Sequence, residues 1–328
     1  MTQPVITLRV NQPDRTAFAG YVGGGPKPAG YTLLVPPGAS GVPYFQNQTG
    51  SVKIFVFRRD SDGAIIVTAT ATNFADAQST ANNFMLGSPS LYGAAAQSAA
   101  QFALSQSGGK NIYFEGWSQG AAIVINTALT LNTLSGADWS KVFIEVTNSA
   151  PQVLFPGFDG SVLNGHQLNI RNVMDEPIDP DTGRRPGDIV SLAAPTYGQS
   201  IDVIVKPTAH TLADFHWPGQ IPDNPADWRY DDVTNIANNL PTLPILLDVE
   251  AAAQAAFNPA TDNKAAATGR LLRGMGEAMF YISLHPDADG ALPRLHLMMI
   301  SIDKMVKADP LLNFAFGKAT SDILGLEQ

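Results

Sequence analysis

Residues 111–125 read NIYFEGWSQGAAIVI, and this stretch decides the fold. Its first part, Ile112-Tyr113-Phe114-Glu115, is a short β-prone run that follows a Gly108-Gly109 break, as a buried strand does. The second part changes period. Small residues Gly120, Ala121 and Ala122 come first and Ile123, Val124, Ile125, Leu129 and Leu131 follow, which predicts a helix over 120–134. Between strand and helix there is only Gly116-Trp117-Ser118-Gln119-Gly120, too short for a loop. A strand that turns sharply into a helix is the repeating unit of a parallel sheet with helical crossovers.

Outward from this unit the same texture continues. Upstream, strands are expected over 5–10, over 31–35 before Pro36-Pro37, and over 51–57 and 64–70. The last two flank Arg58-Arg59-Asp60-Ser61-Asp62-Gly63, and Asp-Gly between β-branched runs signals a hairpin. Residues 74–84 and 92–105 are rich in Ala, Gln and Asn with apolar spacing closer to a helix. Downstream, 141–146, 167–173 and 201–205 read as further strands. The fold class predicted is α/β, a mostly parallel sheet flanked by helices.

The last third differs. Past the Pro-rich stretch 217–225 there is little strand character, and helices are expected over 248–257, 265–284 and 293–306. The organisation predicted is a sheet domain over 1–220 and a helical extension over 221–328, a packing element or a cap or lid over the site.

The composition excludes several classes. The 328 residues carry 20 basic and 29 acidic side chains, a net charge of −9, with no basic cluster, which argues against a nucleic-acid partner. With no cysteine there is no disulfide, thiolate zinc site or cysteine nucleophile. The start, MTQPVITLRV, lacks the basic and apolar regions of a secretory signal, and no 18-residue apolar run is present. The expectation is a cytoplasmic protein, or one exported by a route without an N-terminal signal peptide.

The pentad at 116–120 has the form G-x-S-x-G, and its strand–turn–helix setting is what a nucleophile elbow needs. A serine on so sharp a bend projects its hydroxyl above the strand ends, beside helix N–H groups that can face a developing oxyanion. Ser118 is therefore the candidate nucleophile; the alternative is an ordinary glycine-rich turn. A serine hydroxyl needs a base oriented by a carboxylate. Of the five histidines, His166 opens a strand and reads as structural, while His285 and His296 lie in the helical extension. His210, in the loop after strand 201–205, is the first candidate base and His216 the alternative. For the acid, Asp175 directly follows strand 167–173; Glu176, Asp179 and Asp188 are rivals. The segment 179–183 also reads as a polar turn, with too few ligands for a calcium loop. Apolar residues in 84–87 and 153–158 could line an acyl pocket or simply plug the core.

These residues resemble the α/β-hydrolase superfamily, lipases and esterases in particular, with a layout similar to class 3 lipases and a Gly-Trp-Ser-Gln-Gly elbow closer to that of cutinases. The resemblance covers roughly 50–216. It rests on the hairpin, the elbow, Asp175-Glu176-Pro177-Ile178 as acid segment, and Ala209-His210-Thr211-Leu212 as histidine loop. It implies an α/β-hydrolase-type sheet and a Ser118–His210–Asp175 triad, with Gln119 N–H and Thr72 or a neighbour as oxyanion donors. The Arg-Gly-Thr of class 3 lipases is replaced here by Thr70-Ala71-Thr72. The implied function is hydrolysis of a carboxylic ester through an acyl-enzyme, without cofactor or metal, on a small-molecule or lipid ester. Contact with a lipid surface would be transient, and no protein partner is implied. The alternatives are an acyltransferase using the same triad and a non-catalytic binding protein on the same fold.

Overall fold

The computed structural model describes residues 7–37, 41–71, 89–149, 154–155, 157–175, 177–178, 185, 197–205, 222 and 224–234. Among the described residues, nine strands form one mixed sheet. In chain order they are β1 (Tyr31–Leu33), β2 (Phe45–Gln46), β3 (Lys53–Arg59), β4 (Ile65–Ala69), β5 (Ile112–Trp117), β6 (Val142–Thr147), β7 (Gln167–Met174), β8 (Gln199–Val205) and β9 (Tyr230–Thr234). Their spatial order is β1-β3-β4-β5-β6-β7-β8-β9, with β2 paired to β3. The five central strands β4 to β8 run parallel, and antiparallel strands close both sides. The architecture is α/β with a mostly parallel sheet, as the sequence predicts.

Parallel strands need crossovers, and two described α-helices supply them: α2 (Pro89–Ser107) between β4 and β5, and α3 (Gln119–Asn132) between β5 and β6. Both pack on one face. Ile54, Val56, Ile65, Val67, Phe114, Ile144 and Val146 point toward them, and the alanines of α2 (Ala96, Ala99, Ala100, Ala103) permit close approach. The alternate residues Phe55, Phe57, Ile66 and Tyr113 form a second core on the other face with Phe18 and Tyr31. A strand covered on both faces reads as a continuous apolar run, which is why β4 and β5 were legible. The Asp-Gly hairpin is present as β3–β4, with Gly63 at φ 78° and Arg59 Nε donating to Asp62 Oδ1 at 2.9 Å.

Three differences from the sequence expectation have physical causes. Residues 7–10 of the expected first strand are not a strand; residues 5 and 6 lie outside the described residues. The N–H groups of Arg9 and Val10 donate instead to the Glu145 carboxylate, at 2.8 and 3.1 Å. An unforeseen helix follows, α1 (Gln12–Val22), capped by Asn11 Oδ1 accepting from Asp14 N at 2.8 Å. The Asn-cap and first-turn proline were in the sequence, but the inward side of α1 carries Gln12 and Arg15, so apolar periodicity is lost. Finally, β9 lies past residue 220 and continues the sheet antiparallel to β8. Its sequence, YDDVT, has the two acidic residues common on edge strands, which hides the β signal. The helices expected at 74–84, 248–257, 265–284 and 293–306 lie outside the described residues, as does most of 221–328. Among the described residues, no helix is long and apolar enough to cross a membrane.

Helix α3 comes close to the sheet at Gly120. A Cβ built there would stand 2.5 Å from the Ala69 carbonyl oxygen and 3.2 Å from that of Thr70. Gly120→Ala is therefore expected to lower the thermal unfolding midpoint, since overpacking costs about 1–3 kcal/mol. Gly20→Ala, where a Cβ meets nothing within 4 Å, should leave the midpoint unchanged or raise it. Equal midpoints for the two variants would refute the close α3–β4 contact.

Candidate functional site

The turn between β5 and α3 has an unusual backbone. Ser118 sits at φ 53°, ψ −127°, a region that L-residues with a Cβ rarely occupy. Such a conformation costs about 1–3 kcal/mol and persists only when its surroundings over-determine it. Here they do. A Cβ on Gly116 would lie 2.7 Å from Ala121 Cα, so strand and helix start touch directly. Ser118 N–H donates to the Thr147 carbonyl of β6 at 3.2 Å, and Ala121 N–H donates to the Ser118 carbonyl at 3.1 Å. Behind it, α3 is buried from Gln119 through Leu131 and cannot shift without disturbing the core. Serine is a preferred N-cap, yet the Ser118 side chain makes no capping hydrogen bond. The hydroxyl is not spent on the helix.

The sheet determines what can meet Ser118. Because β4 to β8 are parallel, their C-terminal ends share one edge. Ser118 and Gln119 follow β5, Thr70 and Ala71 follow β4, Asn148 follows β6 and Asp175 follows β7. Thr70 is tied back to β3, its N–H donating to the Lys53 carbonyl at 3.0 Å and its Oγ1 accepting from Lys53 N at 3.1 Å. The Asp175 carboxylate accepts from both terminal nitrogens of Arg229, at 2.9 and 3.1 Å, in an exposed bidentate pair. Arg229 immediately precedes β9, so the unforeseen edge strand delivers a cation to this carboxylate.

Thr72, His210, His216 and Asp188 lie outside the described residues, as do Glu176 and Asp179. His166 is structural: its Nδ1 lies 2.9 Å from the Val142 carbonyl oxygen and its ring is 5.0 Å from that of Trp139. Leu154, Phe155 and Phe158, of the segment read as pocket or plug, pack into the core against α2 and α3. Phe155 N–H donates to Asn126 Oδ1 of α3 at 2.8 Å, and its ring meets Tyr92 of α2 at 5.0 Å. Among the described residues, no group of three His, Asp or Glu side chains could hold a metal ion.

Sequence reasoning missed a buried polar layer on the opposite face of the sheet, directly beneath the turn. Glu115, one residue before Gly116, and Glu145 stand side by side in register on β5 and β6. Arg15 of α1 reaches in, donating to the Glu145 carbonyl at 2.9 Å and to Thr147 Oγ1, with its guanidinium 3.6 Å from the Glu145 carboxylate. Thr68 Oγ1 donates to Glu115 Oε2 at 3.0 Å. Burial pushes the Glu115 carboxyl up to about 7; Arg15 and the Thr68 hydrogen bond oppose the shift, and the Glu145 charge adds to it. The available signal was one glutamate in each of two otherwise apolar strands, IYFEGW and VFIEVT.

Compared with known proteins, the chain matches no protein-family model and no curated relative.

Two outcomes follow from this geometry. Ser118→Gly removes the backbone strain, so its denaturant midpoint should rise by the equivalent of about 1 kcal/mol, whereas Ser118→Ala, which keeps a Cβ, should stay near wild type. Equal stability of the two variants would mean that the turn is unstrained. In the folded protein the Glu115 carboxyl titrates above its ordinary value of 4.5, because it is buried. Its stabilising contribution is therefore complete below about 4.5 and is lost as pH rises through about 7. The loss is roughly 3 kcal/mol at one pKa unit per 1.36 kcal/mol. Unfolding of Glu115→Gln, followed from pH 4 to 8, should lack this decline. A decline identical to wild type would place the titration elsewhere.

Proposed function

We propose that this chain is a serine hydrolase on an α/β-hydrolase-type fold, acting on a carboxylic ester through an acyl-enzyme. The observation that carries the reading is the strained Ser118 turn, at φ 53° and ψ −127°, with its hydroxyl uncommitted to the helix it begins. A protein keeps such a conformation at a position where the side chain must be presented, and a turn needed only for connection would accept glycine. The parallel strands support it: β4, β7 and β8 end on the same edge as β5, and Asp175 follows β7 there, while Thr72 and His210 lie outside the described residues.

In this reading the His210 imidazole takes the Ser118 proton as the hydroxyl oxygen attacks the ester carbonyl. The carbonyl π pair moves to oxygen, and N–H groups of Gln119 and Thr72 hold the oxyanion. Each such donor is worth roughly 3–4 kcal/mol of barrier. Asp175 keeps the imidazole in the useful tautomer and stabilises its cation. The tetrahedral species collapses to the acyl-enzyme, the C–O bond to the alcohol breaks, and His210 returns the proton to the leaving oxygen. Water then repeats the sequence and frees the acid. An acceptor alcohol in place of water would make the protein an acyltransferase, and loss of nucleophilicity would leave a binding protein. His216 and Asp188 are the alternative base and acid, and the Arg229 pair on Asp175 gives the choice of acid experimental interest.

A fluorophosphonate probe should label the wild type and not Ser118→Ala. His210→Ala and Asp175→Asn should each lower short-chain ester turnover by 100-fold or more, on the scale of triad losses of about 10⁴. His216→Ala and Asp188→Asn should retain most of it. An unlabelled wild type would sink the hydrolase reading, and turnover lost only with His216 or Asp188 would reassign the base or the acid.

A further inference from the structure

Asn148 is the second non-glycine residue with positive φ among the described residues, at φ 44°, and it lies one strand away from Ser118 at the end of β6. It is wholly buried. The peptide unit between Thr147 and Asn148 bridges three strands. Its carbonyl accepts from Ser118 N–H at 3.2 Å on the β5 side, and its N–H donates to the Ile170 carbonyl of β7 at 2.9 Å. In a parallel ladder, the residue whose N–H bonds position 170 accepts from the N–H of position 172 through its own main-chain carbonyl. Here the Asn172 N–H goes to the Asn148 side chain, Oδ1, at 2.9 Å. Asparagine tolerates the left-handed region and carries an acceptor of the right reach, so both properties are used at once.

We infer that Asn148 is a positioning residue: its side chain replaces the last rung of the β6–β7 ladder, so that β6 leaves the sheet beside Ser118 while β7 stays in register up to Asp175. The juxtaposition has two consequences. The main-chain pairing of β6 ends at the level of the nucleophile, where continued pairing would carry backbone past it. The end of β7, and with it Asp175 one residue beyond Met174, is fixed relative to the same peptide unit that holds the Ser118 N–H. Among the described residues the buried amide nitrogen of Asn148 has no hydrogen-bond partner, and the oxygen does this work. The catalytic consequence rests on the hydrolase reading above; the clamp itself does not.

Two variants separate the contributions. Asn148→Gly accepts the positive φ but removes the acceptor, and Asn148→Asp keeps an acceptor oxygen at the same reach. Hydrogen exchange read by mass spectrometry on peptides covering 168–175 should be faster in Asn148→Gly and return toward wild type in Asn148→Asp. Well below the unfolding midpoint, Asn148→Gly should lose about tenfold or more in kcat at little-changed KM, as misplacement of a catalytic group does, with Asn148→Asp recovering most of it. Unchanged exchange in Asn148→Gly overturns the clamp, and so does an Asn148→Asp variant as loose as the glycine one. Faster exchange with kcat intact overturns the positioning role and leaves a merely structural rung. A wild type that neither takes the fluorophosphonate probe nor turns over ester removes the hydrolase reading and the positioning role with it. That result is distinct from an active wild type matched by Asn148→Gly.

Discussion

The rest of the structure depends on the contact between the start of α3 and the ends of β4 and β5. Two glycines put backbone against backbone there, Gly116 on Ala121 and Gly120 on the Ala69 carbonyl. No side chain can be added without moving a strand or the most buried helix of the described fold. That rigidity lets Ser118 sit in a conformation it would otherwise leave, because relaxing φ and ψ at one residue would require parting α3 from the sheet. The strain is held by van der Waals contact and main-chain hydrogen bonds, and the Ser118 hydroxyl takes no part in holding it.

The sheet is asymmetric about this point. Toward α2 and α3, strands β4 to β6 present aliphatic residues and Phe114, and alanines bring the helices close. Toward α1 the same strands carry Glu115, Glu145, Thr68 and Thr147, threaded by the buried Arg15. Burial in this medium is what chiefly pushes the Glu115 carboxyl up, with the neighbouring Glu145 adding to the shift and Arg15 opposing it. A second buried pair, Arg171 with Asp202, ties β7 to β8 from the other face, Arg171 Nε donating to Asp202 Oδ1 at 2.7 Å. Buried ion pairs add little net stability, but breaking one leaves an uncompensated charge. They therefore fix which strand lies beside which more than how tightly the sheet holds.

Legibility in the sequence followed chemistry that acts locally. The β3–β4 hairpin was readable from Asp62-Gly63, and the β5–α3 turn from its glycines and the change of period after Ser118, because turn geometry and amphipathic period belong to adjacent residues. Helix α1 was hidden because its inward side is polar, and Arg15 makes sense only once Glu145 and Thr147, more than a hundred residues away, are beside it. The strand expected over 5–10 was misread at residues 7–10 for a related reason: alternation suggests a ladder, but the partner of those N–H groups is a carboxylate. Leu154, Phe155 and Phe158 could equally line a pocket or fill the core until Asn126 and Tyr92 were seen to hold Phe155.

By itself, the sequence determined the α/β class, the run of strands from 53 to 205 and the serine at the tight turn, since each is written in contiguous residues through period, glycine placement and β-propensity. Only the tertiary structure decided that Glu115 and Glu145 meet under that turn, that Arg229 arrives from the edge strand to pair with Asp175, and that Asn148 closes the ladder with its side chain. Those are pairings between distant segments, and sequence cannot encode them legibly because a polar side chain carries no mark of the partner it will find.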